Sequence, residues 1–276
     1  MGKLTIGTCV YDDYEGLYFT IQSLRMYHKE VLDRLEFVII NNNPKSAQGR
    51  EVRKFADWSF KEPLTYVEFD AFSATSLRDK IFGLANTEYV LVLDCHVLLD
   101  PGSLKKLLEY YDAGKDERNL LQGPLVYDDM KNVSTHFNLD KWGSDMWGVW
   151  DTDKRGKNPN AEPFEIPAQG LGVFSCRKDS WLGFNKKFRG FGGEEGYIHE
   201  KYRKAGRKTV CLPFLRWVHR FGRPAGAPYN PTKQDRFRNY MIGFQEIGKD
   251  TSEIIDRFKG KVPEEHVQNV VKELGL

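Results

Sequence analysis

Short apolar runs alternate with amphipathic stretches along the first third of the chain. Apolar runs between turn signals are typical of buried strands, and apolar residues three or four apart are typical of helices. The stretch from Tyr14 to Tyr27, for example, carries Leu17, Ile21 and Leu24 on one face. The pattern predicts strands at Leu4–Val10, Leu35–Ile40, Leu64–Phe69 and Tyr89–Leu93, and helices at Tyr14–Tyr27, Arg50–Phe60 and Ser76–Ala85. Such alternation predicts an α/β fold with a mostly parallel sheet and helices on both faces.

The pattern is less regular after Asp94. A helix is predicted at Leu104–Tyr111, where Pro101 suits a first turn and Ser103 can cap. Further helices are predicted at Gly196–Ala205, Arg236–Ile247 and Glu264–Leu274. Residues 131–165 are polar and rich in Gly, Asn and Asp, and they contain Trp142, Trp147 and Trp150. This composition predicts a long loop that covers a substrate.

Composition narrows the class of protein. The chain has 276 residues, of which 40% are hydrophobic and 29% are charged, as in ordinary globular enzymes. Its four cysteines are far apart and form no CxxC pair, which favours a reduced environment. No basic leader begins the sequence, and no apolar run approaches the roughly 20 residues that span a bilayer. We therefore expect a soluble, cytoplasmic protein.

Charge is unevenly distributed, although the net charge is only +2. Residues 201–238 hold eleven Lys or Arg and one acid, Asp235. This basic tract suggests an anionic partner. A solvated basic surface without a partner is the simpler alternative.

Asp94-Cys95-His96 stands where the most apolar predicted strand ends. Ligands of α/β sheets collect at the carboxyl ends of strands. Residues two apart on a strand face the same side, so Asp94 and His96 can reach one point while Cys95 turns into the core. A carboxylate and an imidazole can bind Mn²⁺. Helix capping and a core histidine are the alternatives.

A second histidine, His219, follows the apolar run Val210–Val218 and lies among Arg216, Arg220 and Arg223. It can supply a third metal ligand from another strand, while the arginines bind a diphosphate through paired N–H donors. The alternative is a lone histidine in a basic turn.

Two adjacent acids, Glu194 and Glu195, follow Phe191-Gly192-Gly193 and precede a predicted helix. The glycines allow the backbone to approach a ligand closely. Acids also stabilise the first turn of a helix through its dipole, and this would explain them without any function.

Together these motifs resemble those of the polypeptide N-acetylgalactosaminyltransferases, which have a family-2-like GT-A core. Asp94-Cys95-His96, Phe191-Gly192-Gly193-Glu194 and Trp217-Val218-His219-Arg220-Phe221 follow the order and approximate spacing of that family. The resemblance extends from about Leu4 to Gly248. It implies a GT-A fold, Rossmann-like with a mostly parallel central sheet, and a nucleotide diphosphate sugar as donor.

Residue roles follow from the resemblance. It implies that Asp94, His96 and His219 bind Mn²⁺ or Mg²⁺, and that Arg78 is the helix arginine that meets the nucleotide. Our working hypothesis adds that Arg78, Arg220 and Arg223 neutralise the diphosphate. The remaining positions are a base pocket of Cys9, Val10 and Tyr11, a contact of Glu194 with the transferred sugar, a floor from Gly170 to Gly172, and a lid at Tyr229.

Two positions depart from the family pattern. Asn41-Asn42 stands where such enzymes usually have Asp-Asp for the uracil base; asparagine offers a donor and an acceptor, so uridine and other bases are both compatible with it. Glu195 stands where the retaining family has Asn, and inverting galactosyltransferases use a carboxylate there as general base. Both stereochemical outcomes therefore stay open.

The resemblance also suggests a division of the chain. Residues 1–225 would form the catalytic domain, with a nucleotide-sugar half up to about residue 100 and an acceptor half after it. Residues 226–276 would add a lid loop and a short helical extension.

The acceptor is predicted from the basic tract and the three tryptophans. An anionic partner with a flat face suits both, and a hydroxymethylated base in DNA, as in phage DNA modification, is the leading hypothesis. A glycan or a protein Ser/Thr acceptor is the alternative, because tryptophan also stacks on sugars. A non-catalytic module that only binds nucleotide sugars is a third hypothesis.

Overall fold

The computed structural model describes residues 2–71, 75–222 and 226–276. Its strands are β1 (Leu4–Val10), β2 (Leu35–Asn41), β3 (Leu64–Glu68), β4 (Tyr89–Asp94), β5 (Val97–Leu99), β6 (Leu120–Gln122), β7 (Leu125–Val126), β8 (Val133–Ser134), β9 (His136–Gly143), β10 (Met146–Asp151), β11 (Phe164–Glu165), β12 (Val173–Arg177), β13 (Thr209–Cys211) and β14 (Trp217–His219). Its helices are α1 (Tyr14–Tyr27), α2 (Ala47–Ser59), α3 (Arg78–Leu84), α4 (Ser103–Asp112), α5 (Glu194–Lys204), α6 (Lys233–Glu246), α7 (Ser252–Phe258) and α8 (Glu264–Leu274). No helix in these ranges is long and apolar enough to cross a membrane.

An eight-stranded sheet forms the centre, in the order β11-β13-β6-β12-β4-β1-β2-β3. Strands β3, β2, β1 and β4 are parallel, and β12 joins β4 in antiparallel pairing. The register places Cys9 opposite Asp94 and Val10 opposite Asn41. The predicted α/β fold with a mostly parallel sheet is confirmed, and the carboxyl ends of three neighbouring strands meet at one edge.

Helices cover both faces of this sheet. Leu17, Ile21 and Leu24 of α1 belong to one hydrophobic core, as their spacing predicts. The other core contains Phe237 and Met241 of α6 together with buried residues of α3 and α5. The helices after residue 226 thus pack into the same molecule as the sheet.

A four-stranded sheet of order β5-β14-β7-β8 lies beside the central one. The apolar run at 210–218 is therefore divided between two strands of different sheets, β13 and β14. Antiparallel pairing of β14 with β5 places His219 opposite Val97, next to His96. This small sheet brings the second histidine to the end of β4.

The segment predicted to be a long loop, residues 131–165, contains strands, so that prediction is wrong. β9 and β10 form an antiparallel hairpin with a register shift near Gly148. Trp147 is buried, donates a hydrogen bond from Nε1 to Leu139 O, and faces Gly196 of α5. Trp142 donates to Glu253, and the ring of Trp150 packs against Phe137. Trp147 and Trp142 thus attach the hairpin to α5 and α7, and Trp150 packs within it.

The start of α4 also differs from the prediction. Gly102, with φ of 77°, occupies the cap position, and no side-chain cap bond is present. Ser103 is the first helical residue and does not cap. Gly102 adopts the left-handed conformation at low cost because it has no Cβ.

The basic tract at 201–238 does not form one continuous surface. Its residues are distributed over α5, the segment after it, β14 and α6. Among the described residues, seven pair with acids: Lys201 with Glu246, Arg203 with Glu200, Lys208 with Glu165, Arg216 with Asp100, Arg220 with Asp13, Lys233 with Asp145 and Arg238 with Glu273. Most of the charge is therefore balanced within the fold.

A buried histidine makes stability depend on pH. His28 is 0% exposed, and burial lowers the pKa of its imidazole below the ordinary value of 6.5. The unfolded chain takes up this proton more readily, so the His28 contribution is complete above about pH 6.5 and is lost as the pH falls below it. We expect His28→Leu to reduce the loss of unfolding free energy between about pH 7.5 and pH 5. Urea unfolding at both pH values measures this, and an unchanged difference would contradict it.

Candidate active site

Three potential metal ligands converge at the end of β4. Ligand atoms of Asp94, His96 and His219 all lie within 4.8 Å of one another. Nε2 of His96 is 3.1 Å from Nε2 of His219, which is 3.5 Å from Oδ2 of Asp94. Cys95, between the first two, is only 4% exposed and points into the core as predicted. The triad thus combines one carboxylate and two imidazoles from β4, the turn after it and β14.

Arg78, the first residue of α3, is bound to the triad. Its guanidinium donates to Oδ1 of Asp94 at 2.6 Å, and its side chain is 12% exposed. Burial alone would raise the pKa of Asp94, but Arg78 and the two histidines hold that pKa well below its usual range. Asp94 is therefore an ionised carboxylate at neutral pH, with one oxygen on Arg78 and the other toward His219.

Asp13, which the sequence interpretation did not single out, lies behind His96. Its Oδ2 accepts a hydrogen bond from Nδ1 of His96 at 2.9 Å, and its Oδ1 is 2.5 Å from the guanidinium of Arg220. Burial would raise the pKa of Asp13, but the bonds from His96 and Arg220 lower it. Its position directly after β1, at the same sheet edge as Asp94, was the signal that could have identified it.

The two adjacent acids lie in the first turn of α5, and both are buried: Glu194 is 1% exposed and Glu195 is 9% exposed. Burial and the charge of Glu195 raise the pKa of Glu194, against the effect of Arg78. Burial also raises the pKa of Glu195, which Arg78 and Arg236 oppose. Stabilising a helix dipole does not require such burial, so the first-turn explanation alone does not account for this pair.

Helix α6 holds the loop that leads to these acids. Asn239, fully buried, accepts from Arg189 N and donates to the carbonyl oxygens of Arg189 and Gly192. Gly192 has φ of 103°, and a Cβ there would lie 2.6 Å from Nε of Arg236. Arg236 and Asn239 are two further residues of the site that sequence reasoning missed.

Of the three residues predicted for the base pocket, two are partly exposed and one is buried. Cys9 is partly exposed beside Arg78 and Asp94, and burial raises the pKa of its thiol to about 12. Tyr11 is also partly exposed, and its ring centroid lies 6.2 Å from that of Tyr229, in edge-to-face geometry. Val10 is 1% exposed, so its side chain belongs to the core and cannot line a pocket.

The two asparagines at the end of β2 bind the protein itself. Asn41 donates to Gly49 O and to the Tyr66 hydroxyl, and its oxygen accepts from Asn43 N. The amide nitrogen of Asn42 donates to the carbonyl oxygens of Phe69 and Ala71. The expectation that Asn41 faces a base is corrected, because its side chain is used to shape the loop.

A glycine segment lies beside the triad. Gly172 accepts a hydrogen bond from Asp94 N, and a Cβ on it would lie 2.7 Å from the Trp217 ring. Gly170 accepts from Gln122, and its Cβ position is 3.1 Å from Trp150. A side chain at Gly172 would clash with Trp217, and one at Gly170 would make a tight contact with Trp150. Arg223 lies outside the described residues.

A cavity of about 290 Å³ adjoins the triad on the side of α1. Its lining includes apolar residues, Phe19, Leu98 and Val218, and charged or polar ones, His96, His219, Arg220, Glu15 and Asp128. Phe19 is 65% exposed and Leu98 is 46% exposed, so the cavity opens to solvent.

A mostly parallel sheet with helices on both faces, and a carboxylate at the end of a central strand, are features of the GT-A class of glycosyltransferases. Residues 5–175 match the family model described as glycosyl transferase family 2. The chain belongs to this family of glycosyltransferases.

Solved structures share the fold at low sequence identity. GalNAc-T7, crystallised with UDP, GalNAc and Mn²⁺, is 13% identical with a TM-score of 0.69, and the match covers 100% of this chain but 57% of that one. A mannosyltransferase from Pyrobaculum calidifontis, in complex with GDP-Man and Mn²⁺, is 11% identical with a TM-score of 0.62, covering 99% and 80%. S. aureus TarS with UDP-GlcNAc is 13% identical with a TM-score of 0.60, again covering 99% and 80%. No curated protein matches the sequence significantly.

Proposed function

We propose that this protein transfers a sugar from a nucleotide diphosphate sugar, specifically a UDP-sugar, to an acceptor hydroxyl with the help of Mn²⁺. The observation that carries the proposal is the triad of Asp94, His96 and His219, whose ligand atoms lie within 4.8 Å of one another. Similar folds crystallised with Mn²⁺ and UDP or GDP-Man support the donor class.

The triad fits a divalent metal chemically. Asp94 is ionised, and Nδ1 of His96 donates to Asp13, which leaves the lone pair of Nε2 directed toward His219. A carboxylate and neutral imidazoles are suitable ligands for Mn²⁺ or Mg²⁺, with imidazole favouring Mn²⁺. A metal bound there supplies positive charge to the diphosphate leaving group.

The chain's own cations complete the binding of the donor. Arg78 is fixed beside the triad, and Arg220, 43% exposed, can turn N–H donors toward phosphate oxygens. Tyr11 and Cys9 border the nucleoside in this proposal. Gly170 and Gly172 form the floor beneath the transferred sugar, and Arg223 is a further candidate to bind the diphosphate. Tyr229 closes over the donor as a lid; its ring lies 6.2 Å from both Tyr11 and Phe191.

Glu195 is the proposed general base, so the reaction inverts the anomeric configuration. Two adjacent buried carboxyls do not ionise equally, and we assign the proton to Glu194, which is 1% exposed against 9% for Glu195 and whose pKa both burial and the charge of Glu195 raise. Arg78 and Arg236 help keep Glu195 ionised. Protonated Glu194 donates a hydrogen bond to the sugar, and Glu195 accepts the proton of the acceptor hydroxyl.

The acceptor we propose is a hydroxymethylated base in DNA. The tract at 201–238 supports it less than the sequence suggested, because most of its charge is balanced within the fold. The three tryptophans support it less too, because they pack within the structure. The cavity of about 290 Å³ beside the triad supports it, since a flat base flipped out of the stack can enter a mainly apolar pocket that Arg220 lines; Glu15 and Asp128 line it as well.

One experiment tests donor and acceptor together. UDP-sugars and GDP-sugars are offered with Mn²⁺ and a set of acceptors: hydroxymethylated DNA, glycans and Ser/Thr peptides, with mass spectrometry of the products. We expect a sugar added to the DNA with a UDP donor and loss of acceptor binding at high salt. Transfer to a glycan or peptide would replace the acceptor proposal. Donor binding without turnover on any acceptor would instead indicate a non-catalytic module.

A further inference from the structure

Asp13 contacts two of the groups that the proposed function requires. Its carboxylate is 5% exposed, with Oδ2 bound to His96 and Oδ1 bound to Arg220. It also caps α1, because Oδ1 accepts from Gly16 N at 3.1 Å. One side chain thereby joins the start of a helix, a triad imidazole and the guanidinium of Arg220.

The bond to His96 fixes which ring nitrogen carries the proton. An ionised carboxylate can only accept, so Nδ1 of His96 must donate to Asp13. In the neutral ring Nε2 then has the lone pair, and it lies 3.1 Å from Nε2 of His219. Carboxylate partners of this kind orient ligating histidines and increase their basicity.

His219 differs from His96 in this respect. Its Nδ1 is buried and, within the part of the chain that the structure describes, has no hydrogen-bond partner. Of the two Nδ1 atoms, the one of His96 is therefore held by a carboxylate, whereas the ring of His219 is held by packing against Phe221. The backbone of Arg220 is also bound to His96, since Arg220 N donates a hydrogen bond to His96 O at 3.2 Å.

We propose that Asp13 is a positioning residue that presents Nε2 of His96 to the metal and holds Arg220 beside the diphosphate position. This inference rests on the proposed function. It differs from a purely structural role, in which Asp13 would matter only as the cap of α1.

Asp13→Ser separates the two roles, because serine caps helices about as well as aspartate but is too short to reach His96. We expect Mn²⁺ affinity, measured by calorimetry without any donor, to fall about 10- to 100-fold. In the metal-free protein, ¹⁵N NMR should show His96 losing its fixed Nδ1–H tautomer. The thermal midpoint should change little.

Gly16→Ala is a second, independent variant. A Cβ at Gly16 would lie 2.6 Å from Oδ1 of Asp13, so the carboxylate must move while its charge remains. The change also strains the cap bond from Gly16 N, which offsets the higher helix propensity of alanine, so the thermal midpoint is measured on the same sample. Weaker Mn²⁺ binding in protein that is still folded at the assay temperature is expected.

The matched control is Asp12→Ser, which alters the neighbouring acid. Asp12 binds Asn43 and Ser46, and the structure shows no contact between it and the triad. Its Mn²⁺ affinity should equal that of the wild type. If wild-type protein does not bind Mn²⁺, the proposed function fails; if wild type binds and Asp13→Ser binds equally well, only the role of Asp13 is overturned.

Discussion

Replacing Asp94 with alanine or asparagine should reduce Mn²⁺-dependent hydrolysis and transfer of a UDP-sugar by about 10³-fold or more. Asp94 is the only carboxylate among the three described residues of the triad. Its loss also leaves the Arg78 guanidinium, 12% exposed, without its charge partner. Loss of the metal ligand and displacement of Arg78 both weaken binding of the donor diphosphate. Both also reduce stabilisation of the negative charge that develops on the diphosphate when it leaves.

The measurement is initial rate against Mn²⁺ concentration, with circular dichroism to verify folding. Asp94→Asn preserves the shape of the side chain and so separates loss of charge from a packing defect. Asp57→Asn, an exposed acid that pairs with Arg53 on α2, is the control and should keep full activity. Full activity of the wild type in EDTA, or of Asp94→Asn with Mn²⁺, would contradict the assignment.

Glu195→Gln and Glu194→Gln should have very different effects, although the residues are adjacent. Glutamine cannot accept a proton, so Glu195→Gln should lower kcat by roughly 10²- to 10⁴-fold with little change in donor KM. Glutamine does resemble a protonated carboxyl group, since both offer a donor and an acceptor. Glu194→Gln should therefore retain activity within about tenfold of the wild type, because the amide can still donate a hydrogen bond to the sugar and only a modest difference in the strength of that bond is lost.

Stereochemistry provides an independent measurement. NMR of the early product should show inversion at the anomeric carbon if Glu195 is the base. A retained configuration, together with a mild effect of Glu195→Gln, would assign the proton to the leaving diphosphate instead. The reverse ranking, with Glu194→Gln inactive and Glu195→Gln active, would exchange the two roles.

Local patterns predicted the secondary structure around the site well. Helix α1 begins and ends at Tyr14 and Tyr27 as predicted, because its apolar residues repeat at helical spacing. The hairpin of β9 and β10 was missed because Gly, Asn and Asp are typical of loops. Its stability comes from distant contacts, such as the bond from Trp147 N to the Tyr240 hydroxyl.

The sequence by itself determined the alternation of strands and helices and the position of Asp94-Cys95-His96 at a strand end, since both depend on residues close together in the chain. Only the tertiary structure decided that Asp13 supports His96, that Arg220 joins it from 207 positions away, and that Asn41 is used within its own loop. Those contacts depend on which strands are neighbours and in what register. Sheet order is a property of the whole chain, and no local pattern contains it.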